Sequence, residues 1–277
     1  MLKWDSVFEW GRRASDRPVT APAVSVRDRA LENAIAREQV EVHYQPVIEP
    51  RTGRIVGAEA LARAAIEPTA NALFARATKA KLDERLSRYV QRLALRSAAA
   101  WDRPLRELSL AINLLPADLC RDGYDDWLIE EMDSAGIDPK RVIIEITESA
   151  LLTDPDAVAL RLSRLRDAGV RIAIDDFGTG YASLSYLTRL PIDILKIDGE
   201  LIANLANGER DRIVVRALID LARELELTVL VEGVESTGQL ALLCDWGCDL
   251  YQGFLSAGAL TEDELGRFVA TANVEAA

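Results

Sequence analysis

The chain has 277 residues, 49% of them apolar, and its 45 acidic against 33 basic side chains give a net charge of −12. That length and apolar fraction suffice for one large core, while so negative a surface argues against a DNA or RNA polymer as partner, which needs a basic stripe. No stretch approaches the roughly eighteen uncharged apolar residues of a membrane span, and Met1 to Gly11 carries charges among Trp4, Val7, Phe8 and Trp10 rather than the apolar core of a signal peptide, so no transmembrane segment and a cytoplasmic location are expected.

Residues 1–25 read as a short helix and a linker. Trp4, Val7 and Phe8 recur at helical spacing, which suits a helix packing on the domain or one binding a partner or a membrane surface. Pro18 and Pro22 then break the pattern amid small and charged residues. One domain, 26–277, follows. It opens with a helical pattern over Val26 to Arg37 and a first strand over Val40 to Gln45, which contains the single histidine, His43. A lone histidine reads as a lining or wall residue, and proton transfer then falls to carboxylates, lysine or metal-bound water.

Seven further apolar runs of strand length alternate with helical patterns: Ile55 to Leu61, Leu108 to Leu114, Val142 to Thr147, Arg171 to Asp175, Ile192 to Lys196, Thr228 to Val231 and Leu250 to Gln252. The helical pattern over Asp156 to Ala168 repeats Val158, Leu162 and Leu165 before Gly169, and another spans Arg210 to Leu225. Eight strands alternating with helices predict an α/β fold, a (β/α)8 TIM-like barrel. Cys120, Cys244 and Cys248 lack the pairing of a zinc site or disulfide framework, and the last two, four apart, read as packing residues of one helix.

The ends of these runs carry Glu59, Asn113, Glu145, Asp175, Lys196, Glu232 and Gln252. Residues two apart in a strand share a face, so Gly57 with Glu59, Ala111 with Asn113, Ile143 with Glu145 and Thr147, and Ala173 with Asp175 can point inward together. A strand-end carboxylate alone fits a helix cap or solvated turn, but so many at matching ends predict a shared rim. Glu59, Asn113, Glu145 and Asp175 offer only oxygen, which suits a hard cation such as Mg²⁺ or Mn²⁺. Adjacent Asp175 and Asp176, with Glu232, can reach a second ion. Two ions serve in-line attack of water on phosphorus, with Lys196 holding the water or the developing charge. Ca²⁺, with its looser shell, is expected to inhibit. An enolase-like proton abstraction uses similar residues, though it generally needs a capping domain for which the region before Val40 is short.

Several blocks resemble the EAL-domain phosphodiesterases: Tyr44-Gln45-Pro46, Glu59-Ala60-Leu61 with Arg63, Asn113 with Pro116, Glu145-Ile146-Thr147-Glu148, Asp175 to Gly180, Leu195-Lys196-Ile197-Asp198, Glu232-Gly233-Val234-Glu235 and Gln252-Gly253. The resemblance runs from about Val26 to Leu265. It implies a barrel whose first strand opposes the others, and hydrolysis of the bacterial second messenger cyclic di-GMP to linear pGpG, in a bacterial cytoplasm, by a homodimer. It also implies Glu59, Asn113, Glu145 and Asp175 as ligands of one metal and Asp175, Asp176 and Glu232 of the other. Lys196 then orients the nucleophilic water, and Gln252 supports the water or metal shell. Gln45, Arg63, Asp198 and the backbone near Leu61 correspond to substrate-binding positions. Glu148 would anchor the glycine-rich loop from Asp176 to Leu187, which couples metal binding to dimerisation. Two departures stand out: 64–82 is alanine-rich and lacks a Trp after Arg63, and Ser256-Ala257-Gly258-Ala259 replaces a basic, proline-bearing turn. A catalytically silent receptor for the same nucleotide is the alternative these departures leave open.

Overall fold

A computed structural model describes residues 27–147, 150, 154–178, 185–205 and 208–275. The expected helix and linker of 1–25, the anchor Glu148 and residues 179–184 of the glycine-rich loop lie outside the described residues.

Eight strands close into one barrel in sequential order: β1 Val40–Ile48, β2 Ile55–Ala64, β3 Ser109–Leu114, β4 Val142–Thr147, β5 Arg171–Phe177, β6 Ile194–Ile197, β7 Thr228–Val231 and β8 Leu250–Tyr251. β1 runs antiparallel to both neighbours, β2 and β8, and every other pair is parallel. The apolar runs exist because both faces of each strand are covered. Outward side chains such as Leu110, Ile112, Val142, Ile144, Ile172, Ile174, Leu195 and Val229 form the main core under the surrounding helices. Inward ones, Val47, Ala173, Ile194 and Leu230, form a smaller cluster inside the barrel.

The helices follow their local signals. Pro155–Asp167 starts at Asp154, whose side chain accepts from Ala157 N, and ends with Arg164 and Arg166 against the helix dipole. It buries Val158, Leu162 and Leu165 as the spacing predicts. Ala70–Ala80 is capped by Thr69 and sets Leu73 and Ala77 into a separate cluster with Leu31, Ile35 and Leu86. The alanine-rich stretch therefore forms a short packed helix beside β1 and β2.

Three strands run at least two residues past their expected ends, β6 starts at Ile194 rather than Ile192 and ends one residue later, and β3 and β8 each differ by one residue. β1 continues through Pro46 to Ile48, and its ladder to β8 is a single register pair, Ile48 with Tyr251, so the missing N–H of Pro46 leaves no gap on that side. β2 extends to Ala64 because the start of β1 pairs with it. β5 runs on to Phe177 through a bulge, in which Ile174 pairs Leu195 but Phe177 pairs Ile197. The extra residue is Asp176, in the left-handed region at φ 56°, and it restarts the alternation so that Asp175 points inward while Phe177 joins the outer core. Cys244 lies in the helix Thr237–Trp246, whereas Cys248 follows the left-handed Gly247 that ends it.

The tops of β6 and β7 approach closely through two glycines. Gly233 sits at φ 66°, and a Cβ there would stand 2.8 Å from Gly199 Cα. Gly233→Ala should therefore destabilise the fold by about 1–2 kcal/mol or more and displace the adjacent Glu232. Denaturant unfolding checks the first expectation, and an unchanged midpoint would refute it.

Candidate active site at the barrel mouth

Seven of the residues singled out in the sequence meet at the C-terminal mouth of the parallel strands, where barrel sites are built. Lys196, on β6 and 1% exposed, is their centre. Its Nζ stands 2.6 Å from Glu232 Oε1, 2.9 Å from Glu145 Oε1, 3.1 Å from Asp175 Oδ1 and 3.9 Å from Glu59 Oε2. These are ion-pair distances, yet their angles do not make hydrogen bonds, and Nζ, Glu145 Oε2, Glu232 Oε1 and Gln252 Oε1 are buried without hydrogen-bond partners among the described residues. Glu59 is held from both sides: Asn113 Nδ2 donates to Oε1 at 2.8 Å and Gln252 Nε2 to Oε2 at 2.7 Å.

The electrostatics follow from crowding in a dry place. Burial, followed by the Glu59 charge, pushes Glu145 well above the usual carboxylate range, although Lys196 opposes the shift. Burial likewise pushes Glu232 up to about 7, helped by Asp175 and Glu59 and opposed by Lys196. Burial also pushes Glu59 up, but Lys196 and the hydrogen bonds from Gln252 and Asn113 outweigh it and hold Glu59 lower. Lys196 stays protonated well above its ordinary value: burial works against its charge, and Glu145, Glu232, Glu59 and Asp175 together overcome it.

Among the described residues no group of three or more histidine, cysteine or acidic side chains stands in a ready metal-binding arrangement; the carboxylates converge on the ammonium. The donor set nonetheless fits hard divalent cations. Four carboxylates surround one ammonium, leaving an excess of negative charge in a buried mouth, together with acceptor oxygens that have no hydrogen-bond donor among the described residues.

The remaining predicted residues line the surroundings. Asp176 is exposed at the bulge, its N–H donating to Asp175 Oδ1 at 3.0 Å. Gln45, Leu61 and Arg63 share the inward-facing side of the β1–β2 ribbon above the mouth, with Gln45 opposite Glu59 and His43 opposite Leu61. Gln45 Nε2 donates to Ala257 O at 3.3 Å, and Arg63 Nη1 to Ala62 O at 2.9 Å. Asp198 caps the helix Gly199–Ile202 by accepting from Glu200 N at 2.7 Å. Sequence reasoning missed Gln91. Its Nε2 donates to Asn113 O at 3.1 Å and to Ser87 Oγ at 2.9 Å, while its Oε1 accepts from Tyr124 OH at 2.7 Å, so a buried polar network fixes the backbone that presents Asn113. The signal available was Ser87 and Gln91, four apart on an otherwise apolar helix face.

A closed barrel with its first strand reversed and an acidic mouth around a lysine defines a modified (β/α)8 barrel domain. The chain belongs to the EAL domain family, whose profile matches residues 28–259. It is 35% identical over 256 residues to a cyclic di-GMP phosphodiesterase, NbdA, of Pseudomonas aeruginosa, covering 90% of this chain and 33% of that protein. The solved structure of the PaMucR phosphodiesterase in complex with c-di-GMP is similar at a TM-score of 0.80 and 35% identity, covering 85% of this chain and 97% of that one. The Klebsiella pneumoniae BlrP1 manganese/cy-diGMP complex is similar at 0.73 and 33%, covering 80% and 56%. The chain spans about a third of the length of these curated relatives, from 28% to 37% of each.

The raised Glu232 makes metal-free stability pH-dependent. A carboxyl held at about 7 when folded against an ordinary 4.5 binds more protons in the folded state, so its contribution to stability is fully present below pH 4.5 and is lost as pH rises through about 7. Thermal melts in EDTA should show this fall, and Glu232→Gln should flatten it; an equally steep profile in that variant would contradict the assignment.

Proposed function

We propose that this domain hydrolyses cyclic di-GMP to linear pGpG as a cyclic-guanylate-specific phosphodiesterase, using two Mg²⁺ or Mn²⁺ ions held by Glu59, Asn113, Glu145, Asp175, Asp176 and Glu232. The observation that carries this reading is the excess of buried carboxylates around Lys196 at the barrel mouth, in a chain whose family relatives include phosphodiesterases of that nucleotide.

A bound ion pair would supply Lewis-acid stabilisation of the phosphodiester and a more acidic water. The chain's own groups do the rest. Lys196, kept protonated, stabilises negative charge on the attacking oxygen and on the phosphorus-bound oxygens. Gln252 and Asn113 hold Glu59 in one orientation, so a ligand oxygen is not lost to rotation. Arg63, with Gln45, Asp198 and the Leu61 backbone, lines the wall over which the nucleotide lies, and a guanidinium can grip a phosphate by two hydrogen bonds. Ca²⁺ inhibits in this scheme because its larger coordination shell spoils the spacing the smaller ions impose. A homodimer in a bacterial cytoplasm, with 26–277 as the catalytic unit behind a 1–25 helix and linker, completes the reading; no helix among the described residues is long and apolar enough to cross a membrane.

A silent receptor is the second reading. It is favoured by the engagement of Gln45 with Ala257 O, in the segment where the basic, proline-bearing turn is replaced. Cyclic di-GMP binding without metal-dependent pGpG formation would establish it.

Incubation with cyclic di-GMP and Mg²⁺ or Mn²⁺ should yield pGpG by chromatography, EDTA or Ca²⁺ should stop the reaction, and Asp175→Asn should lower kcat at least about 100-fold with the fold intact. Full turnover in EDTA would overturn the proposal. Glu148→Ala should lower activity without unfolding the protein, and wild-type turnover in that variant would remove the anchor role.

A further inference from the structure

The interior of a (β/α)8 barrel is ordinarily filled by layers of bulky branched side chains. Here the inward positions below the site include Gly57 on β2, Ser109 and Ala111 on β3, Ala173 on β5 and Thr228 on β7. These small residues leave a cavity of about 990 Å³ that Glu145 lines at its upper end and the β1–β2 turn lines at the opposite mouth of the barrel. That volume falls at the upper end of the range of small-molecule sites.

Several charged side chains line this space, and those at its open lower rim are engaged elsewhere: Glu49 with Arg54, Glu107 with Arg103, Arg223 with Asp220, Arg51 with Cys244 O and Asp249 with Val229 N. Arg171, the first residue of β5, shares the inward face with Ala173 and Asp175 and lines the cavity. Its Nη2 donates to Ser109 Oγ at 2.7 Å, and its other N–H groups have no protein partner among the described residues. The nearby acid that would neutralise it is taken: Asp193 is paired with Arg166 at 2.9 Å and accepts from Ile172 N. Burial accordingly lowers Arg171 from its ordinary value, only partly offset by Asp193. A guanidinium without a carboxylate, facing apolar walls of Val47, Ile143, Ile194, Leu230 and Leu250, is half of a recognition pair. The other arginines of the lining donate to Cys244 O, Glu49 and Asp220, and the barrel ladder engages the strand N–H groups around Arg171, so it faces the space without the cluster of donors a phosphate group prefers, whereas two oxygens of a carboxylate match one guanidinium edge.

We propose that the lower half of the barrel is a second ligand site, separate from the carboxylate mouth, which takes a small carboxylic acid with an apolar body, the carboxylate on Arg171 and the body against the inner barrel wall. Glu145 separates the two compartments, its buried Oε2 without a hydrogen-bond partner among the described residues, so an occupant below touches a side chain of the upper site.

Benzoate is a suitable probe and inorganic phosphate its counterpart. Calorimetric titration of the wild-type chain should show one saturable benzoate site, weakened about tenfold in Arg171→Gln and also lost in Ala173→Leu, which fills the space. Should the filling variant fail to fold, Arg171→Lys decides: it keeps the charge without the fork and should bind between wild type and Arg171→Gln. Saturating cyclic di-GMP should leave benzoate binding in place, because the two ligands occupy opposite ends of the barrel. No saturable binding, equal affinity in Arg171→Gln, equally tight binding of phosphate, or displacement by cyclic di-GMP would each overturn the proposal. None of these outcomes depends on whether pGpG is formed.

Discussion

One ammonium set among four carboxylates, in a mouth largely shut off from bulk water, is the constraint on which the upper half of this barrel depends. Each carboxylate attracts Lys196, but the carboxylates also repel one another, and four of them make six mutual pairs against four attractions. One ammonium therefore offsets only part of the charge the four carry when all are ionised, and each also loses its hydration in this dry mouth. The group exists because the strand ladders and the helix-covered outer core hold the backbone in place. The raised Glu145 and Glu232 are the local response: burial among like charges favours their neutral forms.

Much of this was legible in the sequence because two periodicities met. Apolar runs of strand length gave the count and order of the strands, the two-residue alternation within them placed Glu59, Asn113, Glu145 and Asp175 on the inward face, and Lys196 was marked by its place at the end of a run. The direction of β1 was implied by family resemblance and not by pattern, since an apolar run reads alike in either direction. The bulge was invisible for a physical reason: Asp175-Asp176 looks like two ligands in a row, whereas the left-handed Asp176 divides them, one facing inward and the other exposed. Gln91 escaped notice because its role lies in a tertiary contact to a main-chain oxygen on another element, which no local spacing encodes.

The same alternation explains what was overlooked below the site. Small inward residues look unremarkable one at a time, since glycine, alanine and serine occur in many strands. Their effect appears only when neighbouring strands bring Gly57 beside Ser109 and Ala111 beside Ile143 in register, and the missing volume adds up across the barrel. Arg171 belongs with them: at the start of β5 it reads as a solvated strand entry, but the parity it shares with Asp175 turns it inward.

Reversal of β1 has a mechanical consequence. A parallel barrel closes with a ladder like all its others, but here the closing joint consists of one register pair, Ile48 with Tyr251, and one isolated bridge, Tyr44 with Leu260. Such a joint is the zip of the cylinder, the place where thermal breathing parts the wall at least cost. Gln45 lies between its two fastenings and Gln252 follows Tyr251 directly, so one strand of the wall over the mouth and the side chain that clamps Glu59 sit on opposite lips of that opening.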